Sequence, residues 1–120
     1  MAPEADQPVL VAVSVDPAVS HRATEAIRIA LGIRAGANAV TVALLGSGVK
    51  VLDAEVAEYV DGDDLARHLT TLKKLGQAFH VEGTSIPSTR DWNPAGVTVV
   101  PIDRVDLARL VAASRRTVVF

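Results

Sequence analysis

Apolar positions in this 120-residue chain fall into short runs and periodic stretches separated by Gly, Pro and Asp. Residues 9–15 read VLVAVSV, a β-branched run whose two-sided hydrophobicity predicts a central parallel strand. Asp16-Pro17 breaks the run. Either Asp16 caps the next helix, with Pro17 in its first turn, or Ser20 is the cap. Over 17–33, Ala23, Ile27, Ala30, Leu31 and Arg34 fall near one helical face, with Arg22, Glu25 and Arg28 mostly on the other. Gly32 and Gly36 mark the helix end.

A second strand is predicted over 38–45, closed by Gly46-Ser47-Gly48. Val49, Leu52, Val56, Tyr59 and Val60 recur at steps of three and four, predicting a short helix despite the β-branched content. Asp61-Gly62-Asp63-Asp64 opens another helix, whose stripe is Leu65, Leu69, Leu72 and Leu75 and whose stop is Gly76. Strands follow at 78–81 and 98–102, separated by a long loop over 84–96 with Pro87, Pro94 and the single Trp92. Asp103 caps a last helix carrying Leu107, Leu110 and Val111, and 117–120 is a last strand. The order β-α-β-α-α-β-β-α-β predicts an α/β fold, a mostly parallel sheet with helices on both faces.

The length fits one domain over 9–120, preceded by a disordered tail over 1–8. A hydrophobic fraction of 49% with only 3% aromatics suits a sheet closely covered by helices, with apolar surface left for subunit contacts. The net charge of −2 is mixed along the chain, and no basic stripe suited to nucleic acid is present. The cluster Arg104, Arg109, Arg115 and Arg116 is interrupted by Asp103 and Asp106 and reads as a solvated helix face. No run approaches membrane-span length, and the first residues do not form a charged leader with an apolar core, so the expected location is cytoplasmic. Zero cysteines exclude disulfides and thiolate chemistry.

In an open parallel sheet, ligands bind beyond the strand carboxyl ends. Three loops gather there: the first with Ser14 and Asp16, the second with Gly46, Ser47 and Gly48, the third with Glu82, Gly83, Thr84 and Ser85. These nine residues are the candidate ligand site, suited to a small anionic ligand held by backbone N–H groups. Gly46-Ser47-Gly48 lacks the third glycine of a dinucleotide fingerprint, and Lys50 does not fit a Walker loop, so a tight turn is the favoured reading. Glu82 is the candidate catalytic acid or base, weighed against a structural role that leads. His80 and Glu82 share a strand face, but two ligands do not make a metal site, and no metal or other cofactor is expected. His21 and His68 lie on separate helices. No Gly-x-Ser-x-Gly elbow appears, and adjacency of Ser20 and His21 does not make a triad. Trp92, in Arg90-Asp91-Trp92-Asn93-Pro94, either lines a pocket, anchors a subunit contact or packs over the sheet.

The opening VLVAVSV, the turn Leu45-Gly46-Ser47-Gly48-Val49, the stretch from Leu75-Gly76 to Gly83-Thr84 and the ending Thr117-Val118-Val119-Phe120 together resemble the DsrE/DsrF-like (YchN-like) family. The resemblance implies a three-layer α/β/α sandwich with a mostly parallel five-stranded sheet, and homotrimers or homohexamers. Some family members take part in sulfur trafficking, and the third strand often ends in a cysteine that holds sulfur as a persulfide. This chain has Glu82 at that place. A carboxylate forms no persulfide, so the expected function is a binding or assembly module without sulfur transfer. The alternatives are a cysteine-independent enzyme using Glu82, or a structural partner of a cysteine-bearing paralogue.

Overall fold

A computed structural model describes residues 7–88 and 91–120. Five strands, Val9–Val13 (β1), Val40–Leu44 (β2), Phe79–Glu82 (β3), Val99–Ile102 (β4) and Arg116–Val119 (β5), form one sheet in the order β4-β3-β2-β1-β5. Every pairing is parallel, with Val11 beside Val42 and Val118, and Ala43 beside His80. Three helices connect them: Arg22–Ala35 (α1), Gly62–Lys74 (α2) and Arg104–Ala113 (α3). The α/β/α architecture expected from the sequence is the one observed.

Alternation along the strands sends two unequal sets of side chains to the two faces. Val9, Val11, Val13, Val42, Leu44, Phe79 and Val81 meet Ala23, Ala26, Ile27 and Ala30 of α1 and Leu65, Leu69 and Leu72 of α2 in the main core. The opposite face holds a small cluster of Leu10, Ala12 and Ala43, against which α3 lays the half-buried Leu107 and Leu110. All five residues of β1 are buried, as its two-sided hydrophobicity predicts for a central strand.

Three helix expectations need correction. The first helix starts at Arg22, because residues 16–20 form their own turn. Asp16 accepts the Ala18 N–H at 2.9 Å, its carbonyl accepts from Val19 and Ser20, and Pro17 is buried before the helix begins. Ser20 Oγ accepts the Arg22 N–H at 3.2 Å, a local bond at the helix entry. Gly32 lies inside α1, and the turn after it is made by Ala37 at φ 62°. The short helix expected after β2 is two 3₁₀ turns, Gly46–Leu52 and Val56–Glu58. Two carbonyls of this stretch accept hydrogen bonds from the β3–β4 connection. Val49 O accepts the Trp92 indole N–H at 2.8 Å, and Leu52 O accepts the Asn93 N–H at 2.7 Å. Leu75, the last residue of the predicted stripe, lies past the end of α2 and is exposed.

These two bonds also dock the long β3–β4 connection, whose described residues include a 3₁₀ turn at Gly83–Ser85 but no α-helix. Trp92 packs against the main core, so the packing reading of that residue is the one observed. Arg90 and residues 1–6 of the expected tail lie outside the described residues. Pro8, at the tail's end, accepts the Arg115 N–H at 3.0 Å.

The inequality of the two faces is measurable. Phe79→Ala, in the fully buried core, should cost about 3–5 kcal/mol in urea unfolding. Leu107→Ala, on the half-buried helix, should cost about 1 kcal/mol at a protein concentration low enough to hold single chains.

Candidate functional site

The direction of chain travel decides where a crevice opens. From β1 to β4 the chain steps one way across the sheet, with α1, α2 and Ile86, Trp92 and Val97 of the β3–β4 connection on the main-core face. It then returns from β4 to β5 through α3 on the other face. Neighbouring strands whose exits diverge to opposite faces define the switch point at which α/β sheets bind ligands. Here those strands are β3 and β4, ending in Glu82 and Ile102.

Leu45, Glu82, Ile102, Asp103, Arg104 and Leu107 line this crevice, whose cavity measures about 20 Å³. That volume holds about one water. Glu82 occupies the rim. Its Oε1 accepts the Gly46 N–H at 3.0 Å and the Ser85 hydroxyl, linking the loops that follow β2 and β3. Gly46 reaches this geometry at φ 51°, in the left-handed region that glycine enters freely. The Ser85 hydrogen bond, then the Gly46 N–H, hold the Glu82 carboxyl below its ordinary pKa against a smaller desolvation effect, with Arg104 adding attraction. Glu82 is therefore an ionised acceptor at neutral pH.

The other candidates separate into two further groups. Asp16 pairs with Lys50 at 3.0 Å across the loops after β1 and β2. Burial pushes the Asp16 pKa up, but the Ala18 N–H and Lys50 outweigh it and leave it lowered. Beside this pair Tyr59 donates to Asp53 at 2.7 Å, and that bond, with burial, drives the phenol pKa well above its ordinary range. Ser14 belongs to neither group: its hydroxyl donates to Phe120 O at 2.9 Å, at the end of β5. Gly48 is a packing residue, because a Cβ there would lie 2.0 Å from Val13 O, and its N–H donates to Leu45 O at 2.8 Å. Gly83 and Thr84 are exposed in the turn that carries Ser85.

Glu82, Gly46 and Ser85 are thus brought together, and Asp16 joins Lys50 instead. Lys50, Tyr59 and Arg104 are not legible from sequence as site residues. Lys50 and Tyr59 sit on a stretch that reads as a helix, and Arg104 reads as one of several surface arginines. His80 shares the α3 face of the sheet with Glu82; burial lowers its pKa, and its Nδ1 has no partner among the described residues. His21, at the N-cap of α1, lies 3.2 Å from Glu25 in its first turn, on the surface. Among the described residues, no group of three or more His, Asp or Glu is placed to hold a metal ion. A separate apolar hollow of about 160 Å³ lies between α2 and segment 93–97.

Both lowered carboxylates give the same pH sign. The folded chain binds these protons more weakly than the unfolded chain, so their contribution is complete above the ordinary values of 4.5 for Glu82 and 3.8 for Asp16. It is lost as pH falls through the lowered folded values. Denaturant midpoints taken from about pH 7 down to about pH 3 should fall at the acid end. Glu82→Gln should flatten part of that fall and cost about 1 kcal/mol near pH 7, its exposure limiting the charge effect. Gly48→Ala should destabilise by about 2 kcal/mol or more in the same assay, since the Val13 backbone must move to admit the methyl group.

Comparison with known proteins agrees with this architecture. The crystal structure of the ychN protein from E. coli superposes with a TM-score of 0.72 at 15% identity, covering 95% of this chain and 99% of that one. No match was found among curated proteins. The profile of the DsrE/DsrF-like family matches residues 7–120. The sheet order, the helical layers and this near-complete match lead to one conclusion: the chain belongs to the DsrE/DsrF-like family.

Proposed function

We propose that this chain is a binding or assembly module of the DsrE type that works as a homo-oligomer and without persulfide transfer. The observation that carries the reading is the state of Glu82. With zero cysteines in the chain, no thiolate is available to take up sulfur. Glu82 closes the crevice as a bound anion of the protein itself, using the Gly46 N–H and the Ser85 hydroxyl. The backbone donors offered by Gly46 and Gly48 are both engaged, so an external anion would have to displace Glu82 to reach the first of them. A lowered pKa also suits a fixed acceptor better than a general base, whose useful pKa lies near the working pH. The enzyme reading therefore has less support than the assembly reading.

Native mass spectrometry on protein purified gently from cells tests this. The expected spectrum is a homo-oligomer, with an integer multiple of the chain mass, and Glu82→Gln should leave its stoichiometry unchanged. A monomer at all concentrations would overturn the reading. A mixed complex with a cysteine-bearing relative would replace it with the role of a structural partner in a sulfur relay. A discrete extra mass on the wild type that Glu82→Gln loses would favour a ligand site at the rim.

A further inference from the structure

Between α2 and the loop 93–97 the side chains do not fill the space they enclose. A hollow of about 160 Å³ opens there, floored by the buried Val51, Leu52, Leu69 and Val97. Ala54, Ala66 and Ala95 stand around it, and their single methyl groups leave the space open. The wall facing α2 keeps its shape through its own bonds. Asn93 takes φ 58°, and its side-chain amide clamps Val97 twice, donating to the carbonyl and accepting the N–H, both at 3.1 Å. The Asn93 N–H donates to Leu52 O at 2.7 Å, and the Gly96 N–H returns to Asn93 O at 3.1 Å. From outside the lining, Lys73 of α2 donates to Ala95 O. The loop is thus tied to itself, to the turn after β2 and to α2, so the hollow is formed before anything enters it.

The chemistry of the lining says what fits. Its polar side chains are engaged within the protein. Thr70 Oγ1 donates to Ala66 O at 3.0 Å, Asn93 is closed on Val97, and Asp53 accepts the Tyr59 hydroxyl at 2.7 Å. Water entering the hollow therefore meets mainly aliphatic carbon, short of the two to four partners that hold a buried water. Asp53 is the one acidic or basic side chain of the lining, so an anion would lose its hydration there and gain no cation. An apolar cavity of about 150 Å³ takes up one benzene, so this hollow has room for one six-membered ring. A protein partner is a poorer occupant. Among the described residues, none of the seven strongly exposed large hydrophobics lines the hollow, so its apolar surface is concave and has no broad apolar rim for a partner to settle on.

We infer that this hollow is a binding site for an uncharged molecule carrying one small apolar ring, separate from the crevice of Glu82. The inference goes beyond the homo-oligomer reading and does not rest on it, since the chain mass and the ligand titration are read separately. Toluene is the probe, and benzoate its charged counterpart of similar size. Toluene added to isotope-labelled protein should shift the NMR methyl signals of Leu52, Leu69 and Val97 to saturation and leave those of Val105 and Val119 in place. Benzoate should bind at least tenfold more weakly. Ala66→Leu, a half-buried position on α2 given a good helix former, should fill the hollow. It should weaken toluene binding at least tenfold and keep the wild-type circular dichroism spectrum. If that side chain disturbs the fold, Ala95→Leu on the exposed rim decides the same point. The site is overturned by the absence of a saturable shift, by equal shifts on both faces of the sheet, by equal binding of benzoate, or by full toluene binding in the filled variants. It is also overturned if toluene is refused while the Leu69 and Val97 signals move with protein concentration, because a second copy of the chain would then be the occupant.

Discussion

A parallel crossover winds right-handed, so the direction of each step across a sheet decides which face receives the connection. This chain takes three steps one way and one long step back. Two helices and an irregular crossing therefore share one face, and a single ten-residue helix has the other to itself among the described residues. The main core, the thin second layer and the crevice between β3 and β4 all descend from that one reversal. The reversal also brings the end of β3 opposite the start of α3, which is how Glu82 comes to share a crevice with Arg104.

Much of this is legible in the sequence because hydrophobic period is a local signal. The run that forms β1 is apolar on both faces and fits only a central place, and Leu65, Leu69 and Leu72 mark their helix without ambiguity. The stretch after β2 reads as a helix because its apolar spacing is helical. Its 3₁₀ turns are tied to Trp92 and Asn93, about forty residues away, through the carbonyls of Val49 and Leu52. No window of sequence around Val49 contains that information. The same limit applies to the site. Glu82, Gly46 and Ser85 group together on sequence because all follow strand ends, but whether their donors face a ligand or one another depends on loop geometry. They face one another.

The carboxylate at the end of β3 does structural work. A thiol at this strand end would be only a weak hydrogen-bond partner. Glu82 is a strong acceptor whose charge strengthens each bond it receives, and it ties two loops together. In this chain the end of β3 is a structural clasp between two loops.

The crossing segment that replaces a helix between β3 and β4 has one more consequence. It holds the sole tryptophan of the chain, half-buried, with its indole N–H bonded to a neighbouring turn. Among only four aromatic residues, this one dominates the intrinsic fluorescence, and its emission is a local signal rather than a global one. Release of the segment would expose the indole to water and shift that emission to the red. The fold thus carries a spectroscopic reporter on the β3–β4 connection, where Trp92 and Val97 join the main core, and any release of that connection can be followed in the unmodified protein.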